Sequence, residues 1–174
     1  ERMIEQNPTP EALEKLLALQ REWEAGEAKR AFTRALVAMR RDLPPVIARD
    51  QVVDFSTAKG RTRYTHTSLA AAMEAVTPHL PAHGFSLAWK PETPEGRVRV
   101  TCRLTHRDGH HEETAVEAPP DSSGNKSPVQ AIASTITLLE RYAALALLGV
   151  ATADMIEPAG EAAASADPEG ADSA

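Results

Sequence analysis

Between residues 97 and 105 the chain alternates strictly: Val98, Val100, Cys102 and Leu104 fall on one side, Arg97, Arg99, Thr101 and Arg103 on the other. A period of two marks a strand with one buried and one open face. Between 128 and 148 the period changes. Ile132, Ile136, Leu139, Ala143 and Leu147 recur at helical spacing, and Leu138, Leu145 and Leu148 fill the neighbouring faces. A helix apolar nearly all round belongs in a core or a subunit interface. Glu140 and Arg141 interrupt it, so it is no clean membrane span, and Gly149 is a natural C-terminal stop.

The same reading extends along the chain. Thr9-Pro10-Glu11 opens a helix that runs to Asp42 with a bend at Gly26. Its second half carries Ala28, Ala31, Phe32, Ala35, Leu36 and Met39 on one face, with Lys29, Arg30, Arg34, Arg40 and Arg41 off it. After Leu43-Pro44-Pro45, strands are predicted over 46–47 and 52–56, then a turn at Lys59-Gly60 and a returning strand over 61–65. Thr67 or Ser68 caps a helix over 69–82 that His83-Gly84 ends. Strands over 85–90, 97–105 and 112–118 make a meander, with turns at Pro94-Glu95-Gly96 and Arg107-Asp108-Gly109. The order predicts an α+β domain: an antiparallel sheet, a hairpin plus a three-stranded meander, packed on helices. Residues 1–8 read as a flexible N-terminus, 9–153 as one domain, and 154–174, limited to small, acidic and a few apolar residues, as a disordered acidic tail.

Charge sharpens this outline. The net −6 comes from the tail: 151–174 hold six acids and no base, while 1–150 are balanced. Residues 29–107 hold 14 bases against six acids. A basic middle fits a polyanionic partner, although the surface of any soluble protein gives a weaker version of the same count. Aromatic residues make up 4% of the chain, so the core rests on Leu, Val, Ile and Ala. The single cysteine, Cys102, excludes an internal disulfide and fits a reducing compartment. With no signal peptide in the acidic, polar N-terminus, the expected location is the cytoplasm.

Little here points to bond-making chemistry. His106, His110 and His111 flank a turn with no second cluster at metal-ligand spacing. Nucleotide-binding and hydrolase signatures are absent. Cys102 sits among valines and leucines, where a thiol is buried and inert. The chain is therefore expected not to be an enzyme and to hold no metal or cofactor.

Anion binding has more support. Ser127-Pro128-Val129-Gln130 is a capping box with proline at the first helical position. Lys126 stands beside that helix start, where anions collect; a well-capped helix with a solvated lysine is the plainer alternative. Arg97, Arg99 and Arg103 form a row with about 7 Å between alternate positions. Such a row could track a phosphate backbone, or pair with Glu112 or Glu113 on the next strand. Lys59, Arg61 and Arg63 add charge on the hairpin, with Tyr64 as a stacking ring.

Several ordered pieces together resemble one family. Arg63-Tyr64-Thr65-His66-Thr67-Ser68-Leu69 is similar to an R-Y-A-x-L segment, and Val76-Thr77-Pro78-His79-Leu80-Pro81-Ala82-His83-Gly84-Phe85 to a V-x-P-x-L-x-x-H-G-L stretch. Leu104-Thr105-His106-Arg107-Asp108-Gly109-His110 is similar to L-x-H-x-x-G-H. Asn125-Lys126, Gln130-Ala131, Ser134-Thr135, Arg141-Tyr142, Leu148-Gly149 and Asp154 follow in the same register. Over residues 31–154 the chain resembles the Erf family of phage and prophage single-strand DNA annealing proteins. It departs at Ala133, where glycine is usual, and at Leu138, where an aromatic is usual.

The resemblance implies a protein that binds single-stranded DNA and pairs complementary strands in recombination and repair without ATP. It also implies a homo-oligomer, as a ring or filament. Phosphate contact then falls to Lys59, Arg61, Arg63, Arg97, Arg99, Arg103, Lys126 and Arg141, with Tyr64 stacking on bases. The acidic tail is a candidate site for a host recombination or single-strand-binding protein, and no membrane is implied. The alternative is a self-assembling scaffold that does not touch DNA.

Overall fold

The computed structural model describes residues 9–57 and 60–153, with 53–57 and 60–64 described as backbone only. The long first helix, α1 (Pro10–Asp42), starts on Thr9, whose hydroxyl accepts from the Ala12 amide at 3.3 Å. It runs on through Gly26 and ends where Leu43 leaves helical geometry ahead of two prolines. Phe32 and Met39 are its buried residues, and positions 10–25 are exposed on every side.

Two short strands follow, β1 (Val46–Ile47) and β2 (Gln51–Thr57), then β3 (Gly60–His66), which returns along β2 as an antiparallel hairpin. Asp50 secures the hairpin's root: its carboxylate accepts from the Ser68 amide and hydroxyl, both at 2.6 Å. Those bonds pull the Asp50 carboxyl down to about 2. Ser68 in turn caps α2 (Leu69–Val76) through the Ala71 amide at 3.0 Å. The single helix expected over 69–82 is two. Pro78 has no N–H to donate to the ladder, so α2 stops although Thr77 and Pro78 keep helical angles, and a one-turn α3 (His79–Ala82) begins.

The meander is β4 (Phe85–Glu92), β5 (Val98–His106) and β6 (His111–Ala118), in the order β4-β5-β6 and wholly antiparallel. In β5 the predicted inner side is fully buried at Val98, Val100, Cys102 and Leu104. Against that face lies α4 (Pro128–Leu148), which buries Leu139, Ala143, Ala144, Leu145 and Leu148. It is long and apolar enough to cross a membrane by length and composition, but here it is the central core helix. The rest of the core joins Phe32 to Phe85 edge to face, with centroids 5.3 Å apart, and packs Phe32 on His110 and Phe85 on His106.

Both ends of α4 form as its sequence predicts. Ser127 and Gln130 make the reciprocal capping box, at 3.3 and 2.8 Å. Gly149 closes the other end in left-handed geometry, φ +68°, and the Val150 amide reaches back to the Leu145 carbonyl at 3.1 Å. Arg40 of α1 adds a third lock: its Nε donates to the Leu148 carbonyl at 2.9 Å, placing a cation on the negative end of the helix. Beyond it, β7 (Ala151–Thr152) pairs in parallel with β1, which ties the segment after α4 to the segment after α1.

Replacing Gly149 by Ala forces a Cβ into left-handed geometry and against the Arg40 guanidinium. The expected loss is about 1–2 kcal/mol from the backbone cost alone, read as a lower urea midpoint. Gly149→Asn should lose less, because asparagine tolerates that geometry.

Candidate nucleic-acid interface

The alternation of β5 leaves an open sheet face opposite α4, and cross-strand register orders what stands on it. Arg99 lies between Glu92 and Glu117, Thr101 between Lys90 and Ala115, and Arg103 between Ala88 and Glu113. Arg97 joins the end of this row, just before β5. Arg97 Nε and Arg99 Nε both donate to the Glu117 carboxylate, at 2.5 and 2.8 Å. These two hydrogen bonds hold the Glu117 carboxyl below its usual range. Arg103 Nε donates to Glu113 in the same way. Lys90 pairs with Glu92 at 2.9 Å. Between the strands lies an open depression of about 310 Å³, lined by Ala88, Lys90, Thr101, Arg103 and Glu113 among others.

The arginine row is thus exposed, and every member has a carboxylate partner. Of the two acids read from the sequence, Glu113 is one partner. Glu112 is not, because the register sets it opposite Leu104, and Glu117 takes two arginines instead. Lys90 is the basic group the sequence reading missed. The alternation of Leu87 and Trp89 against Ala88 and Lys90 in β4 carried the signal.

The loop before α4 forms a local knot around Asp121. Its carboxylate accepts from Lys126 Nζ, from the Ser123 amide at 3.0 Å and from the Ser134 hydroxyl at 3.3 Å. Its amide donates at 2.8 Å to Thr135 Oγ1, which itself donates to the Ala131 carbonyl at 2.9 Å. The lysine, above all, drives the Asp121 carboxyl well below the usual carboxylate range. Lys126 therefore fixes the loop, with part of its side chain open to solvent. Asp121 went unread in the sequence although Asp followed by Ser-Ser-Gly is a turn signal.

Arg141 differs from its expected role. It is buried, its Nη1 donates to the Thr67 carbonyl, and its guanidinium lies 4.8 Å from the centroid of the Tyr142 ring. It joins α4 to the start of α2 and is not presented to a strand outside. In β3, Arg61 pairs in register with Ser56, Arg63 with Asp54, and Tyr64 with Val53. Lys59 lies outside the described residues. The hairpin's basic residues and the sheet's arginine row belong to separate sheets.

Among the described residues no group of three His, Cys, Asp or Glu could hold a metal ion. Cys102 is fully buried, and burial pushes its thiol up to about 12, far from a nucleophile's range. His106 instead closes the 107–109 turn, its amide donating to the His110 carbonyl at 2.8 Å.

The family-like residues thus fall at structurally distinct places: the Asp121 knot, the Arg141 tie and the Gly149 cap. The profile of the ERF superfamily matches residues 32–168, most of the chain. The chain belongs to the ERF superfamily. No match is found among curated proteins. Membership supports a role of the recombination and annealing type. The match begins at the first buried residue of α1 and leaves out that helix's exposed first half.

Replacing Arg141 by Met should lower stability by about 1.5–3 kcal/mol, the range for a hydrogen bond to a charged group, read by chemical denaturation. A salt titration of DNA binding should keep its slope, because the guanidinium holds a carbonyl of its own chain.

Proposed function

We propose that this chain binds single-stranded DNA on the open face of the meander, together with the basic hairpin, and anneals complementary strands without a nucleotide or any catalytic step. The observation that carries this reading is the exposed row of Arg97, Arg99 and Arg103 beside Lys90, in a chain of the ERF superfamily. Cations on a strand grip the phosphate backbone without reading sequence, and bases left free can find their complements. Aromatic rings are scarce, which suits weak holding over tight stacking. Work in recombination requires many nucleotides held at once, so the protein acts as a homo-oligomeric ring or filament. The acidic tail is then the candidate site for a host recombination or single-strand-binding protein.

Mixing dye-labelled complementary strands with the protein tests the reading. Pairing should run faster than spontaneous annealing, with no nucleotide added, and an unchanged rate would sink the proposal. Arg99→Ala with Arg103→Ala should weaken binding and flatten the salt dependence by about 0.7 in log–log slope for each phosphate no longer neutralised. Glu117→Gln removes the shared carboxylate, so affinity for single strands should rise at low salt.

A second reading has one observation in its favour: the carboxylates already neutralise the arginines, as in a scaffold that never meets DNA. Under that reading binding is absent and Glu117→Gln changes nothing in the same titration.

A further inference from the structure

The exposed first half of α1 carries a stripe that no described residue covers. Leu16, Leu19 and Trp23 are 46%, 55% and 65% exposed. At about 100° per residue they point the same way as Arg30, Arg34 and Val37 in the second half, which are not buried either. One continuous outer stripe therefore runs the length of α1, apolar in its first half and basic in its second. Charge divides along the same line: residues 10–27 hold five acids and two bases, and residues 28–41 hold five bases and no acid. Gly26, midway along Pro10–Asp42, stands where the two halves meet. The nearest atoms to a Cβ built there belong to the Arg30 guanidinium of the same helix.

A row of exposed leucines and a tryptophan marks a contact surface. The partner that matches both polarity and charge is the same helix reversed. We propose that α1 pairs with α1 of a second copy, antiparallel, crossing near Gly26. The acidic, apolar half of each helix then lies on the basic half of the other. Trp23 meets the partner's arginines, where a guanidinium over an indole adds cation–π attraction. Leu16 and Leu19 approach the region of Val37 in the second copy, and glycine at the crossing lets the backbones come close. Most of each domain lies on the Phe32 and Met39 side of its helix, with Asp108 bordering the depression beside Trp23 and Arg34. The contact has two-fold symmetry, with the same surface on both sides. This inference rests on the assembly part of the proposed function and adds a two-fold contact that joins copies in pairs, separate from the head-to-tail contact that a ring or filament needs; it is read without DNA, so its failure and that of annealing are seen separately.

Introducing cysteine at Gly26 tests it on the full chain, because the one native thiol, Cys102, is buried. Mild oxidation should link Gly26→Cys chains covalently, while Leu13→Cys, far from the crossing, should not link. Light scattering should show the wild type at least dimeric at micromolar concentration. Leu16→Ala with Trp23→Ala should reduce it by one pairing step, with an unchanged circular dichroism spectrum. Arg30 also pairs with Glu27 of its own helix; Arg30→Glu with Arg34→Glu should weaken pairing at least tenfold, and adding Glu22→Lys, which stands opposite residue 30 across the crossing, should restore part of it. A wild type that stays monomeric, or stripe variants that keep its mass, would overturn the proposal. So would a linked Leu13→Cys chain with an unlinked Gly26→Cys chain, the signature of head-to-tail stacking or of a different occupant.

Discussion

The architecture depends on the packing of α4 over the inner face of β5. Four residues at alternate positions of β5 are fully buried, and the helix that covers them is itself apolar on most of its surface. Once that face is committed to the core, the pleat leaves no choice about the other: Arg97, Arg99 and Arg103 must face outward. The candidate interface is thus a by-product of the core. Its spacing is set by backbone geometry, and the charges stand on a rigid element.

Two arginines that look like surface charges in the sequence serve this packing instead. Arg40 reaches from α1 to the last carbonyl of α4, that of Leu148, and Arg141 reaches from α4 to Thr67 at the threshold of α2. Each satisfies a carbonyl at the boundary of a helix, and each joins elements far apart in the chain. The basic middle of the sequence is accordingly less available to a polyanion than its count suggests. Part of it is structural, and part is matched by Glu113 and Glu117.

What the sequence revealed follows from the range of the forces involved. The limits of α4 were legible because both caps are local: Ser127 with Gln130, and Gly149 alone. The faces of β5 were legible because alternation is local too. The break between Val76 and His79 was written in Pro78, but the apolar run on either side of it masked the signal in the sequence. Pairing of β1 with β7 was hidden, since two strands of two residues each carry no periodicity and meet across most of the chain. The roles of Arg40, Asp121 and Arg141 required three-dimensional neighbours. So did the choice of Glu117 over Glu112, which the register of the 107–109 turn decides.

The shared carboxylate of Glu117 has a kinetic consequence. A phosphate arriving at Arg97 or Arg99 finds the guanidinium occupied and must displace an internal partner, which returns as soon as the phosphate leaves. Return of the carboxylate is intramolecular, so under the proposed function it competes with recapture of the strand and shortens each contact even when many form together. Dwell time on any one nucleotide is then decoupled from total occupancy. If the chain holds single-stranded DNA as proposed, such a strand can shift register against its complement without leaving the protein.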